Sequence, residues 1–570
     1  MVIFHLPLRL HALHITLCSL LLCALPIATR AQTLVYLERA DNLLFDQNVL
    51  PDARIVVGNV LFRHDDALMY CDSANFYEKS NSLDAFGHVK MVQGDTLTGY
   101  GDKLFYNGNT KLARLRQNVR LLHQNSVLTT DSLNYDRAND IAYYYSGGKI
   151  VDELNTLTSR WGQYTPYNKH AAFRDSVHLV NNRFTMDTDT LLYDTETHIA
   201  QLVSPTVILY EQETTIFSSN GVYNTHTEES ELFDRSLIHH IEGRSMTADT
   251  IFYDKLQAYG KLFGNIVLID STEQVTQSGN YSEFYEEGSP ASKHPEWGSY
   301  GFTTDKALLE YWGDSLHLYL HADTLFTEEL QVSDTLPADS TYRRTRAYRN
   351  VRVFREDLQS VCDSAVFIGY DSVGKMYGKP ICWNDNNQVS SDSIYIYTRN
   401  SEVDYIHGMG SAICIQQHDL LHYNQMSGKE IIAHVRDGDV YQIDVNGNAE
   451  TVFFPVDSET HTLSGCNRTQ SSFVKVFVVN QQVHHVLFTT STTGTMYPME
   501  QATDAIMHLG AFFWAEDERP RVPADVFIHV ERSSRPGKQS VSATVDEEQE
   551  KENENIETTN SVKSGLSIKK

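Results

Sequence analysis

Proline is scarce in this chain, at 14 of 570 residues, and sustained helical periodicity is almost absent. With 31 Tyr and 11% aromatic residues, that shortage points to a mostly β protein. Length and a 41% hydrophobic content allow several domains and a sizeable buried surface. Positive charge is in the minority: 46 Lys and Arg face 74 Asp and Glu, a formal net charge of −28. Such acidity argues against nucleic acid and against broad phosphate binding, and suits the solubility of a long, thin body. Cysteine is sparse. Beyond Cys18 and Cys23 near the N-terminus, Cys71, Cys362, Cys382, Cys414 and Cys466 are odd in number and scattered, and no CxxC occurs. That pattern argues against a disulfide framework or a zinc site and leaves buried free thiols as the default.

Long apolar runs are missing too, with one exception. Leu13 to Ile27 is almost continuously apolar, and Arg9 and Arg30 are the only formal charges in residues 1–31. Thr29-Arg30-Ala31 places small residues before Gln32, so 1–31 reads as a cleaved secretory signal peptide, with a short N-terminal anchor as the alternative, and the mature chain as periplasmic, free or associated with the outer membrane. Cys23 follows Leu20-Leu21-Leu22, which lacks the small residues of a lipid-attachment site. No other run approaches the ~20 residues of a membrane helix.

Catalytic signatures are lacking as well. There is no GxSxG, no HExxH and no EF-hand loop. "GKMYGK" (374–379) is one residue short of a phosphate loop, and Pro380 stands where Ser or Thr is needed. His239-His240 and His484-His485 are adjacent in extended stretches, so each pair points to opposite faces and makes a poor metal site. Asp187 and Asp189 share a face, yet equivalent acids recur throughout the chain, which fits a solvated strand-start feature better than a catalytic pair. The expectation is no catalysis, no metal and no cofactor.

What is present is a repeat. A small residue or Asn followed by Val or Ile returns at Val60, Val89, Val119, Ile150, Val177, Val207, Ile238 and Ile266, spaced 27 to 31 residues apart. Roughly a dozen residues after each comes a polar residue, often Asp, leading an alternating strand that ends in Tyr or Phe: "CDSANFY" (71–77), "GDKLFY" (101–106), "TDSLNY" (130–135), "DTLLY" (189–193), "DTIFY" (249–253). Each unit thus holds two strands. In "GDKLFYNGNTKLARLRQNVRLLH" (101–123), Ala113, Leu115, Val119 and Leu121 fall on one face and Arg114, Arg116, Asn118 and Arg120 on the other, after a turn at Asn107-Gly108-Asn109. The array pauses in 286–301 and again in 333–346, then resumes at Val351, Ile381 and Ile413.

A period near 30 also permits a parallel β-helix, but short hairpin-like turns and strands near ten residues favour antiparallel stacking. Strands this long can fold over a midpoint, where Gly58, Gly87 and Gly264 fit a bend, and the Val/Ile row then lines an apolar trough. For any single position a packed core is the simpler reading.

The leader followed by "GNV…CDSANFY…AFGHVKMVQGDTLTGYGDKLFY" resembles the OstA-like periplasmic proteins of lipopolysaccharide transport, their large Bacteroidetes-type members in particular. The likeness covers about residues 33–455, with "NGNAETVFF" (446–454) and "ERPRVPADVF" (518–527) similar to their C-terminal part. It implies an all-β fold, an elongated, repetitive antiparallel β-jellyroll. Its apolar groove would shield the acyl chains of lipopolysaccharide or a related lipid. The eight Val/Ile positions would be its lipid contacts. Implied partners are the inner- and outer-membrane transport components, with head-to-tail self-association through edge strands. The expected domains are 1–31 (signal peptide), 32–287 (first array), 288–346 (continuation strands with inserted loops) and 347–455 (second array). A C-terminal region with β structure and a short helix in 499–514, capped at Gly510, would occupy 456–530, and 531–570 would be a disordered tail. The rival readings are a structural or adhesive exported β-repeat protein and a polysaccharide-active β-helix enzyme.

Overall fold

The computed structural model describes residues 33–532, except 47, 49, 95–96, 296, 314–315, 332–340, 370–371, 400–401, 458 and 480–481. The predicted signal peptide lies outside the described residues, as does the predicted tail apart from Glu531 and Arg532. The described chain is all-β in character, with 40 strands. Neighbouring strands pair antiparallel, as in the runs from Arg54 to Asp136 and from Thr341 to Phe453. The repetitive antiparallel architecture read from the sequence is the one observed. The residues fall into two compact units, divided between Gln212 and Glu213.

In the first unit the long strands Arg54–His64, Ala67–Tyr77, Ser82–Gln93, Leu97–Asn107, Leu112–His123 and Ser126–Asp136 follow one another through tight turns. The alternation seen in 112–121 holds: Ala113, Leu115, Val119 and Leu121 are buried, while Arg114 and Arg120 are exposed. The turn lies a little later than Asn107-Gly108-Asn109. It spans Gly108 to Lys111, with Lys111 left-handed at φ 57°, and the bare Gly108 leaves room for Asn81.

Every long strand is interrupted at its midpoint. On alternate strands two successive residues are left-handed: Gly58-Asn59, Gly87-His88, Gln117-Asn118 and Asp175-Ser176. The pairing register slips at each, as between Val57 and Val60. Asn, Asp and Gly tolerate this conformation best, which accounts for their recurrence here. The intervening strands carry the Asp of the second anchor at the same level, and the two anchors bond to each other. Asp72 accepts from His88 at 2.7 Å, Asp102 from Asn118 at 2.6 Å and Asp41 from Asn59 at 2.8 Å. The acid read as a strand-start feature is therefore a corner clasp.

The corners fold the sheet over. In a flat sheet the turn at Asp65 and the turn at Lys111 would sit at opposite margins, one 11-residue strand or about 35 Å apart at ~3.3 Å per residue. Instead Lys111 Nζ donates to Asp65 Oδ2 at 2.7 Å, and Arg137 Nη2 to Asp66 Oδ1 at 2.8 Å. The two halves face each other, and their inward side chains form one core from Val35 to Tyr144.

The second unit repeats the device at Gly264-Asn265, Arg349-Asn350, Gly410-Ser411 and Gly447-Asn448. Asp249 accepts from Asn265 at 2.7 Å and Asp323 from Asn350 at 2.9 Å. Pairing runs unbroken past both predicted pauses, through Val275–Tyr285, Tyr300–Thr304, Thr324–Gln331 and Thr341–Arg355, so these loops lie inside one unit. Strands also continue to Tyr497, beyond the predicted end of the array at residue 455. The expected helix in 499–514 is a single α turn, Asp504–Met507, after a 3-10 turn. Gly510 is not its cap: the helix already ends at Met507 with His508 extended.

Residues 498–532 then return along the outer face of the preceding strands as a strap. Two buried glutamines read its backbone like an added strand. Gln425 donates to the Met507 carbonyl at 2.7 Å and accepts from Leu509 N–H at 2.8 Å. Gln388 does the same with Phe513 and Ala515, at 2.8 and 2.9 Å. Ala515 packs with Val361, Ile381 and Trp383 beneath it.

Candidate functional site

The candidate site is the inward face of the folded sheet. Val60, Val89 and Val119 stand just after the corners of three alternate strands, each 1% exposed. Phe62, Met91 and Leu121 continue the row toward one margin, and Ala85, Leu104 and Leu115 toward the other, all within one apolar cluster. The parity of the row follows from the corner. On the left-handed strands inward residues skip from Ala85 to Val89, and on the Asp strands from Cys71 to Ala74. The Cys71 thiol, buried in this interior, is pushed up to about 12. Val177 and Ile266 occupy the same post-corner position, also 1% exposed.

The remaining positions depart from the row. Val207 is 41% exposed and points outward; its neighbour Thr206 holds the inward place, donating to Thr188 Oγ1 at 2.9 Å. Ile238 is half-buried, and Ser236, after the left-handed Asp234-Arg235 pair, takes the inward place and donates to Ser218 Oγ at 2.8 Å. Ile150 is likewise half-buried. There the interior is filled by Tyr144, whose ring lies within 2.6 Å of where a Cβ on Gly148 or Gly162 would stand and whose hydroxyl bonds Ser159 Oγ at 2.6 Å. The sequence motif located the corners. At Ser236 the left-handed Asp234-Arg235 pair sets which residue enters the interior, whereas no left-handed pair precedes Thr206; at both places the next Val or Ile lies beyond the inward residue. The signal was present as the pair Asp234-Arg235 ahead of Ser236.

Polar groups close one end of the row. His64 is fully buried, 2.5 Å from the Tyr106 hydroxyl through Nδ1 and 2.8 Å from Thr33 Oγ1 through Nε2. Burial is the main cause that holds its imidazole below the usual range. Lys111 holds the Asp65 carboxyl low. The acids and histidines considered for chemistry are spent on pairing: Asp187 binds His178 at 2.7 Å, Thr190 donates to Asp189 at 3.1 Å, and His484 sits 3.0 Å from His485. Among the described residues no three His, Cys, Asp or Glu side chains converge as a metal ion requires, and no helix is long and apolar enough to cross a membrane.

A folded antiparallel β-repeat with a row of water-shielded aliphatic side chains inside defines the class. The family model described as OstA-like protein matches residues 32–189, so this stretch, most of the first unit, is similar to OstA-like proteins. No curated protein matches the chain.

Proposed function

We propose that the protein is a periplasmic lipid-binding bridge that shields the acyl chains of lipopolysaccharide, or a related lipid, on the way to the outer membrane, without catalysis. Its partners would be the inner- and outer-membrane components of that transport. The observation that carries this reading is the aliphatic row from Val60 to Val119, closed to water, within the OstA-like match. Apolar contact at ~25 cal/mol per Å² makes each rung modest and a row of them strong, which suits a lipid that slides rather than stays. The same burial would serve a structural or adhesive β-repeat whose interior is only a packed core.

Photocrosslinking in cells separates the two. A photoreactive residue at Leu115 or Val119 should capture lipopolysaccharide, and one at the outward Arg114 or Arg120 should not. Capture from neither face, or equally from both, would refute the bridge. Val119→Asp should block passage because an unpaired carboxylate in an apolar interior is costly, whereas Val119→Leu should be tolerated. An Asp variant that stays folded and still carries lipid removes Val119 from the path.

A further inference from the structure

The closed interior raises the question of how an acyl chain enters it, and the margins of the first unit hold the answer. Strand ends from the two margins meet there across the fold, Asp65, Asp66 and Gln93 from one and Lys111 and Arg137 from the other. Lys111 Nζ reaches Asp65 Oδ2 at 2.7 Å, the two residues both left-handed at the tips of opposed turns. Arg137, its side chain only 3% exposed, donates to Asp66 at 2.8 Å, to the Tyr106 hydroxyl at 2.6 Å, to Gln93 Oε1 at 2.5 Å and to the His64 carbonyl at 3.3 Å. Beneath this lattice lie Phe62 and Tyr106, members of the apolar core. Parting the margins would separate two ion pairs and leave the buried Arg137 over an apolar floor, where an unpaired charge is expensive, while Lys111, 38% exposed, would lose its partner at the rim. A ligand that brings its own negative charge to the rim offsets that cost. A neutral or zwitterionic one does not.

We propose that the Asp65–Lys111 and Asp66–Arg137 pairs are a latch on the first unit, opened by a lipid whose anionic headgroup replaces the two carboxylates while its acyl chains enter between the margins. The inference rests on the lipid-bridge reading and adds to it an entry point and a headgroup charge. The acidity of the whole chain does not conflict with this, because the recognition is local and the two cations are already gathered.

The test uses the full-length mature chain with Asp65→Cys and Lys111→Cys. Because the contact is made through the far end of the lysine side chain, the thiols are joined by a short, cleavable bismaleimide rather than directly as a disulfide. The native thiols stay out of the reaction, since all five described cysteines are buried and burial raises those of Cys71, Cys362, Cys382, Cys414 and Cys466. Uptake is read from vesicles of fluorescent phosphatidylglycerol and, with the same acyl chains, phosphatidylcholine. The bridged chain should take up neither. Cleavage should restore uptake; the unaltered mature chain, which keeps Lys111, should favour phosphatidylglycerol, and the single variant Lys111→Gln should weaken that preference. Equal uptake by bridged and cleaved chains overturns the latch while leaving the lipid reading intact. A preference for phosphatidylglycerol that is absent, or unmoved by Lys111→Gln, overturns the headgroup exchange. No uptake in any state overturns the lipid reading and the latch with it.

Discussion

At the residue scale the corner concentrates the constraints. Gly87 sits at φ +74°, and a Cβ there would stand 2.4 Å from Asp72 Oδ2. Two separable costs therefore oppose Gly87→Ala: the left-handed backbone, roughly 1 kcal/mol for a residue with a Cβ, and the clash with the carboxylate. Urea unfolding should show a loss of about 1–3 kcal/mol for Gly87→Ala, within the range for strained positions. Adding Asp72→Ala should recover the clash but not the torsion, so the double variant should fall between the single variant and the parent. A double variant no better than Gly87→Ala would mean that relief of the clash does not exceed the loss of the Asp72–His88 clasp. His64 gives a second residue-scale prediction. The unfolded chain protonates this imidazole near pH 6.5, while the folded chain, which holds it lower, protonates it only in more acid solution. Stability is thus full above that pH and declines as pH falls below it, until the folded group protonates as well. Asp65, whose carboxyl is also held low, extends the loss in the same direction at lower pH. Melting temperature measured from pH 7.5 down to 5 should fall, and His64→Gln should shrink the fall. The fall should not vanish, because burial also holds His123 and His321 low. A His64→Gln profile with the parent slope would mean that the buried imidazole titrates as it does in water.

At the scale of elements, what the sequence disclosed and what it withheld have separate causes. Alternation within each half-strand is a local steric fact, so the faces of 112–121 were legible from residue types alone. The period of 27 to 31 residues was legible because each turn-to-turn passage uses the same number of residues. The corner was half legible. Glycines marked the bend, but the partnership of Asp72 with His88, or Asp102 with Asn118, joins residues 16 apart and appears only when adjacent strands are laid side by side. Ser236 and Thr206 went unrecognised as inward positions because hydroxyls signal exposure until a buried partner is known. The strap was invisible for a similar reason. Nothing in the local sequence sets Gln388 and Gln425 apart from outward polar residues, yet they are 0% and 2% exposed and use both ends of the amide on the strap's backbone. Gln388→Leu keeps the volume and leaves the Phe513 carbonyl, the Ala515 N–H and the Trp383 indole N–H unbonded, at roughly 1–3 kcal/mol for each group that stays buried. Amide hydrogen exchange should then quicken over 509–526, while the strands Ile381–Asn384 and Asn387–Ser390 keep their ladder. Unchanged exchange in the strap would show that apolar packing of Ala515 and Leu509 holds it without the glutamines.

At the scale of the whole molecule, the organisation is that of a repeat protein. Nearly every strand gains its bonds from its immediate neighbours, so stability is a sum of local terms and need not be lost all at once. The described residues form two compact units, and a chain of this kind departs from two-state unfolding. The corner at Gly87 lies in the first unit and the glutamine contacts of the strap in the second, which makes the two variants independent probes of cooperativity. Native-state hydrogen exchange on Gly87→Ala should lower protection across the strands from Arg54 to Asp136, leaving those from Tyr423 to Phe453 as in the parent. Gln388→Leu should do the reverse, loosening the strap and sparing Arg54 to Asp136. The consequence for function is direct: a latch on the first unit can open without melting the second only if the two lose protection separately. If either variant lowers protection evenly from residue 33 to 532, the chain opens as one cooperative body, and margins that part locally to admit a lipid are not compatible with it.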